Sequence, residues 1–492
     1  MGQRLDPALV EVRSAAEAFL RVGFRELTRI RVLPVPMFGR FIKLGTHYAG
    51  SVMYEPEFVA LEKALRQAFP EHFNIAPLEP GERLPASHWI FGLLEAAVAA
   101  SAAYDEDPDP NWSFVAELID DLLEQLQAGA RGLVHCRVIS HLTTSTMEPV
   151  EFEDVTIIPV PDPAFAPELM RMVMREIPMA RQAFLDAPPI AFDHPRAIVV
   201  ARSNSSMGRD PFAALEALSR RVDRFLLLSR LVTGTSGRAV WSISGSTGRV
   251  SEFHPLGKAI ASANSGPQMI KRVGVLSDSL VPGFSALAKA IDDAEVTREK
   301  RMFASFDFAL ARFTRSYASD DLADSLVDLA TSMEGILLGG DAGTEDVGLR
   351  LRSRAAALLA TKSDPAPTIY RDVSDLYSIR SKLVHGSTLE IKELMRLLRR
   401  VVPDHDDKFG AESFAFAVDR LRDLVRRAIL ARLALAADQK THWTFQGTTS
   451  VDAQLSDDST RQVWRSVWRA TMNSHGLDAA CEPAPKAEGL YF

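Results

Sequence analysis

Strand signals stop near residue 285, and from there to Ala437 the chain reads as a series of amphipathic helices. Phe303–Ser316 has one apolar face. Leu322, Leu326, Leu329, Met333 and Leu337 then step by three or four residues, with Ser319 and Asp320 as capping side chains for that helix. The acidic, glycine-containing loop Gly339–Asp346 leads into a third helix running to about Ala360. Pro365 and Pro367 break the chain again, and a fourth helix begins near Thr368. Residues 441–492 read as a tail with one short amphipathic helix. Val463, Trp464, Val467, Trp468 and Thr471 lie on one side of it, and it is expected to dock on a domain or a second subunit. The terminal stretch Glu482–Phe492 reads as unstructured and resembles a cloning scar.

Upstream of the transition the signals are mixed. Helical spacing marks Pro56–Phe69, Trp89–Ala100 and Phe114–Leu126, whereas Gly132–Leu142, Val155–Val160, Ala197–Val200 and Ala239–Ile243 are short runs of strand character. The expected fold class is therefore α+β. An N-terminal mixed α/β domain over residues 1–290, which senses or binds something, precedes a C-terminal all-α bundle over residues 295–440, with the boundary near 285–300. The turns Gly234–Arg238 and Gly245–Arg249 flank the strand around Trp241. Neither ends in Lys-Ser/Thr before a helix, so both are read as hairpin connections and not as phosphate loops.

A chain of 492 residues exceeds what one core usually organises, so two or more domains are expected. With 47% hydrophobic residues, 24% charged residues and no long uninterrupted apolar run, no membrane partner is expected. Acidic residues occupy the N-terminal positions where a signal peptide would need an apolar stretch, so the expected location is cytoplasmic. Cys136 and Cys481 are the only cysteines, which excludes a disulfide framework and a Cys-rich zinc module. A net charge of −8 argues against a whole-protein grip on nucleic acid and leaves room for a local basic patch.

The segment Tyr370–Gly386 carries the most informative residues. On a helix, Val373, Leu376, Tyr377, Leu383 and Val384 form one apolar stripe with Arg380 in its midst. A guanidinium facing a core needs a carboxylate or a bound anion, and Glu334 on the second helix is the candidate carboxylate. His385 follows Arg380 by five residues, about 140° further round an unbroken helix. Gly386 is the expected stop, which places His385 in the last turn, where fraying brings both side chains towards one groove and the helix C-terminus favours an imidazolium.

The Arg-x4-His spacing, its setting Leu376-Tyr377…Arg380-Ser381…Val384-His385-Gly386, and the upstream Met333-Glu334-Gly335-Ile336-Leu337-Leu338 resemble the HEPN superfamily, particularly its Apea-like branch, over residues of about 295 to 440. That resemblance implies an endoribonuclease that needs neither metal nor cofactor, usually a homodimer whose paired Arg and His residues line one cleft. Arg380 and His385 would be catalytic, with Glu334, Tyr377, Ser381 and Lys382 in support. His385 would help deprotonate the ribose 2′-hydroxyl or protonate the leaving oxygen, Arg380 would hold the phosphate, and the product would carry a 2′,3′-cyclic phosphate. Nucleolytic members often have Asn, Asp or His directly after the arginine, where this chain has Ser381. The family analogy extends to a toxin or antiviral effector held quiet by its N-terminal domain. The alternative is a catalytically silent binding or regulatory module, with Arg380 locked to Glu334 as a structural residue.

Basic residues outnumber acidic ones between Arg371 and Lys440. Arg396, Arg399 and Arg400, then Arg420, Arg422, Arg426 and Arg427, cluster on two helices. Arg396, Arg399, Arg400, Arg426 and Arg427 are the candidate RNA contacts, and a plain solvated face is the competing reading. His135, Cys136 and His141 share one predicted strand but read as packing residues. Asp404, His405, Asp406 and Asp407 read as an exposed turn, and no metal site is expected.

Overall fold

The computed structural model describes residues 6–30, 52–73, 86–101, 112–160, 166–177, 195–206, 211–251, 256–259, 272–296, 305–319, 321–339, 346–385, 390–404, 410–438, 443 and 451–485. The chain is α+β.

Helices α1 (Pro7–Ile30), α2 (Pro56–Ala68), α3 (Pro70–Phe73), α4 (Ala86–Ser101) and α5 (Trp112–Ala128) gather around a core of their own that includes Phe19, Leu20, Phe58, Leu61, Trp89, Leu93, Ile119 and Leu122. Gly92 is where α4 meets the backbone of the next layer. A Cβ there would lie 1.7 Å from the Ser251 carbonyl oxygen, so only glycine permits the approach.

The strands β1 (Ala130–Ser140), β3 (Val150–Phe152), β4 (Val155–Pro159), β5 (Pro195–Ser206), β6 (Arg238–Ser246) and β7 (Leu256–Ala259) form an antiparallel sheet in the order β3-β4-β5-β1-β6-β7. The strands β2 (Leu142–Thr144) and β8 (Gly274–Leu276) pair in parallel beside it. Side chains alternate between the two faces of β1 and β5. Val134, Cys136, Val138, Ile198 and Val200 pack with Leu169, Val173 and Ile177, the latter from α6 (Ala166–Glu176) and the residue after it. Leu133, Val199 and Ala201 face the opposite way, towards Leu218, Val222 and Phe225 of α7 (Phe212–Thr233).

The turn Gly234–Arg238 is not a hairpin. Gly234, at φ 65°, is the left-handed cap of α7, and the turn joins that helix to β6. Gly245 lies within β6, and the stretch after it leads to the antiparallel partner β7.

The remaining helices are α8 (Val281–Val296), α9 (Ser305–Arg315), α10 (Leu322–Leu338), α11 (Val347–Leu359), α12 (Ala366–Val384), α13 (Ile391–Val401), α14 (Ala411–Ala437), α15 (Val451–Ser456) and α16 (Asp458–Ser474). One hydrophobic cluster runs from Leu133 of the sheet to Cys481 of the tail, so the described residues on either side of the expected boundary share one interior. Helix α14 runs through its middle and is buried on nearly every side from Ala415 to Leu435.

Asp321 caps α10, its carboxylate accepting from the Ala323 amide at 2.6 Å. Ser319 instead braces Asp321 itself, and Asp320 lies outside the described residues. The tail holds both α15 and α16, and it docks on its own chain. Trp464, Trp468 and Met472 are buried, Val463 is 52% exposed, and the Trp468 indole donates to the Leu358 carbonyl. Residues 482–485 are fastened, contrary to the expectation of an unstructured end. Arg426 donates to Glu482 O, Arg272 donates to Pro485 O, and the Ala484 amide donates to Asp423. Residues 486–492 lie outside the described residues. Among those described, no helix is long and apolar enough to cross a membrane.

Candidate functional site on helix α12

Pro365 and Pro367 start α12, where absent amide hydrogens cost nothing. Ile369, Val373, Leu376 and Ile379 form its buried stripe, and the helix packs mainly against α11, with α13 and α10 as its other chief neighbours. Leu383 and Val384, expected on that stripe, are instead 37% and 50% exposed. The last turn of α12 is left without cover from its neighbours, so the burial pattern ends before the apolar pattern does.

Arg380, Glu334 and Tyr377 come together at the edge of the core. Arg380 Nη2 lies 3.5 Å from Glu334 Oε1, and both side chains keep about a fifth of their surface exposed. The contact is electrostatic, without a hydrogen bond. Glu334 Oε1 and Arg380 Nε are buried atoms that carry no hydrogen bond among the described residues. The Tyr377 ring centroid sits 5.5 Å from the Arg380 guanidinium carbon, with the Glu334 carboxylate near enough to act on the Tyr377 hydroxyl. Burial raises the Tyr377 pKa, the Glu334 carboxylate adds to that, and Arg380 opposes it. Tyr377 is thus a neutral hydroxyl donor at physiological pH.

His385 is the C-cap of α12, its amide donating to Ser381 O at 3.1 Å, and its side chain is exposed. Among the described residues the imidazole has no partner, and no contact within the chain joins it to Arg380. Gly386 lies outside the described residues. Lys382 points to α13, where its ammonium meets Glu393 at 2.5 Å, a tie that also orients Glu393 towards Arg396 at 4.0 Å. Glu393 was not legible as a site neighbour from sequence, since only the fold places it opposite Lys382.

Arg396, Arg399 and Arg400 are exposed on α13, with Arg400 anchored to the buried Asp375 at 3.0 Å. The expected contribution of Arg426 and Arg427 is corrected. Both are buried, Arg427 completely, and both are spent on the interior. Arg427 reaches Asp364 at 2.5 Å and Asp423 at 3.0 Å, and Arg426 bonds Asp423 and the carbonyls of Leu231 and Ala480. Arg420 pairs with Asp364 and Asp372, and Arg422 is buried against Tyr317. Burial acts to raise the Asp423 pKa, but Arg426 and Arg427 outweigh it and hold the carboxyl well below the usual range. A solvated face cannot exist on a helix that other helices surround.

The β1 candidates are structural. His135 Nδ1 contacts Ser244 Oγ at 2.7 Å, and Arg137 donates to His135 Nε2 while also pairing with Asp223. His141 lies past the strand end at φ 57°, and Cys136 is buried on the opposite face of the sheet. Among the described residues, no three His, Cys, Asp or Glu side chains gather as a metal site would need. Asp404 is exposed, and His405, Asp406 and Asp407 lie outside the described residues.

Compared with protein-family models, curated proteins and solved structures, the chain matches none.

Proposed function

We propose that the chain is an endoribonuclease of HEPN type, cleaving RNA by attack of a ribose 2′-oxygen on the adjacent phosphorus. The observation that carries this reading is the composition of one edge. An exposed imidazole at the end of α12, without a partner among the described residues, stands five residues beyond a half-buried guanidinium that is held in place but not saturated. In the reaction, His385 takes the 2′-hydroxyl proton or supplies a proton to the departing 5′-oxygen. Arg380 offsets the charge that builds on the phosphoryl oxygens. The 2′-oxygen bonds to phosphorus as the 5′-oxygen leaves, giving a 2′,3′-cyclic phosphate and a 5′-hydroxyl. Arg396 and Arg399, exposed on the neighbouring helix, are positioned to track the backbone.

A cleft with both residue types is completed by a second copy. Leu383 and Val384, next to His385 in the chain, and Ile391, two residues before the Glu393 that Lys382 meets, are exposed apolar side chains, and Ile391 is 74% exposed. A homodimer through this edge covers them and brings two Arg380–His385 pairs together. The fold of residues 7–276, with its own helical core and sheet, then serves as the element that restrains or triggers the site.

The Arg380–Glu334 ion pair favours a second reading, a catalytically silent regulatory module in which Arg380 is purely structural. A 2′-deoxy substitution at a cleaved nucleotide separates the two. The nuclease loses cleavage at that position alone and retains it elsewhere. Cleavage that continues at the substituted position, or no cleavage of any RNA, sinks the proposal.

A further inference from the structure

Helix α11, the start of α12 and the tail helices α15 and α16 line an open cavity of about 1090 Å³, away from His385. Its lining carries the arginines Arg350, Arg354, Arg461 and Arg465 against two aspartates, Asp346 and Asp452. Asp452 alone serves two of those arginines, Arg350 at 3.2 Å and Arg354 at 2.7 Å. Arg465 has no carboxylate partner among the described residues. It donates to the main-chain carbonyls of Ala357 and Ala356, and burial together with Arg461 and Arg469 acts to lower its pKa. Arg461 pairs with Asp458 on its own helix and donates to the Leu455 carbonyl, so among the described residues four arginines meet three aspartates and Arg465 supplies the excess charge, in the fork geometry that phosphate oxygens match.

The rest of the wall is suited to a planar group. Tyr370 lines the cavity and its hydroxyl accepts from Arg352 Nε at 2.9 Å, while the Arg352 guanidinium carbon sits 5.1 Å from the ring, so the ring is pinned. Leu349 adds an exposed apolar surface, and Ser353 and Ser456 add hydroxyls. The volume lies just above the roughly 300–1,000 Å³ usual for small-molecule sites.

We propose that this cavity binds a phosphorylated small molecule of nucleotide size, its phosphates held by Arg461, Arg465 and Arg350 and its ring laid against Tyr370 and Leu349. The ligand is an effector and not a substrate. Gly348, next to the lining residues Leu349 and Arg350, faces Tyr377, since a Cβ there would lie 3.5 Å from the ring. Occupancy of the cavity thus bears on the turn of α11 that supports the Tyr377–Glu334–Arg380 group. The proposal stands whether or not that group is catalytic.

The test is calorimetric titration and thermal denaturation of the full chain with ADP, inorganic pyrophosphate and adenosine, repeated with Arg461→Ala and Ser353→Trp. ADP is expected to bind and to raise Tm, with pyrophosphate and adenosine each weaker, and either variant is expected to weaken ADP by about tenfold or more. Arg461 is near the surface, and Ser353→Trp fills the cavity without removing a charge, so one variant decides if the other fails to fold. No ADP binding at millimolar concentration, adenosine binding as tightly as ADP, or ADP affinity unchanged in a folded variant overturns the proposal.

Discussion

Arg380 on α12 and Glu334 on α10 form a half-buried ion pair that stops short of a hydrogen bond, with the Tyr377 ring beside the guanidinium. The guanidinium is positioned yet keeps hydrogen-bonding capacity for a phosphate. Arg380→Ala strands the Glu334 charge, and urea denaturation is expected to show a loss of about 1–3 kcal/mol. Arg380→Lys is expected to recover most of that stability but little cleavage, because an ammonium lacks the second donor edge. Full cleavage by the lysine variant would contradict the phosphate role.

Arg427 and Arg399 are expected to separate stability from RNA binding. Arg427→Ala removes one of the two cations that each of the buried Asp364 and Asp423 carries, leaving Arg420 and Arg426, at a cost of about 1–3 kcal/mol in denaturant titration. Arg399→Ala, on the exposed face of α13, is expected to leave stability unchanged, to weaken RNA binding, and to reduce the dependence of affinity on salt by about one counterion. The opposite pattern would place the RNA surface elsewhere.

The burial of Arg426 and Arg427 also marks where sequence reading fails. Helix α12 was legible because Pro365 and Pro367 punctuate its start and Val373 and Leu376 keep helical spacing. The β1 and β4 strands were legible from their Val and Ile content. Helix α7 escaped because it is covered on two sides. Its signal at Leu215, Leu218, Val222 and Phe225 is blurred by the run Leu226–Leu228, which is also apolar. The arginines of α14 were assigned to solvent by a rule suited to helices with one apolar face, and α14 is buried all round. The hint was local: Asp423 stands three and four residues before Arg426 and Arg427. At the site, the Glu334 partner was legible from the need to neutralise Arg380, whereas the exposure of Leu383 and Val384 depends on where neighbouring helices end.

His135 makes stability depend on pH in a defined window. Burial, reinforced by Arg137 and opposed by Asp223, lowers its pKa from 6.5 to about 4. Between those values the unfolded chain binds a proton that the native fold refuses, so native stability falls as pH drops from about 6.5 towards 4 and levels off below. His135→Gln keeps a polar group near Ser244 and Arg137 without a titrating proton. Chemical denaturation at pH 7 and pH 4.5 is expected to show a smaller pH-dependent loss for the variant than for the wild type. Equal losses would contradict the assignment.

Ile391 reports on assembly. As an exposed apolar residue at the start of the helix that Lys382 meets through Glu393, it is expected to be covered in a dimer, so Ile391→Asp should convert the protein to a monomer in light scattering and abolish cleavage without unfolding it. A wild-type monomer that cleaves RNA fully would remove the need for a second copy.

The most direct test of the nuclease assignment is cleavage of a mixed RNA pool in EDTA by the wild type and by His385→Ala, with product ends analysed. The account predicts 2′,3′-cyclic phosphate ends from the wild type and none from the variant. Equal cleavage by both proteins, or products ending in a free 3′-hydroxyl, would contradict it.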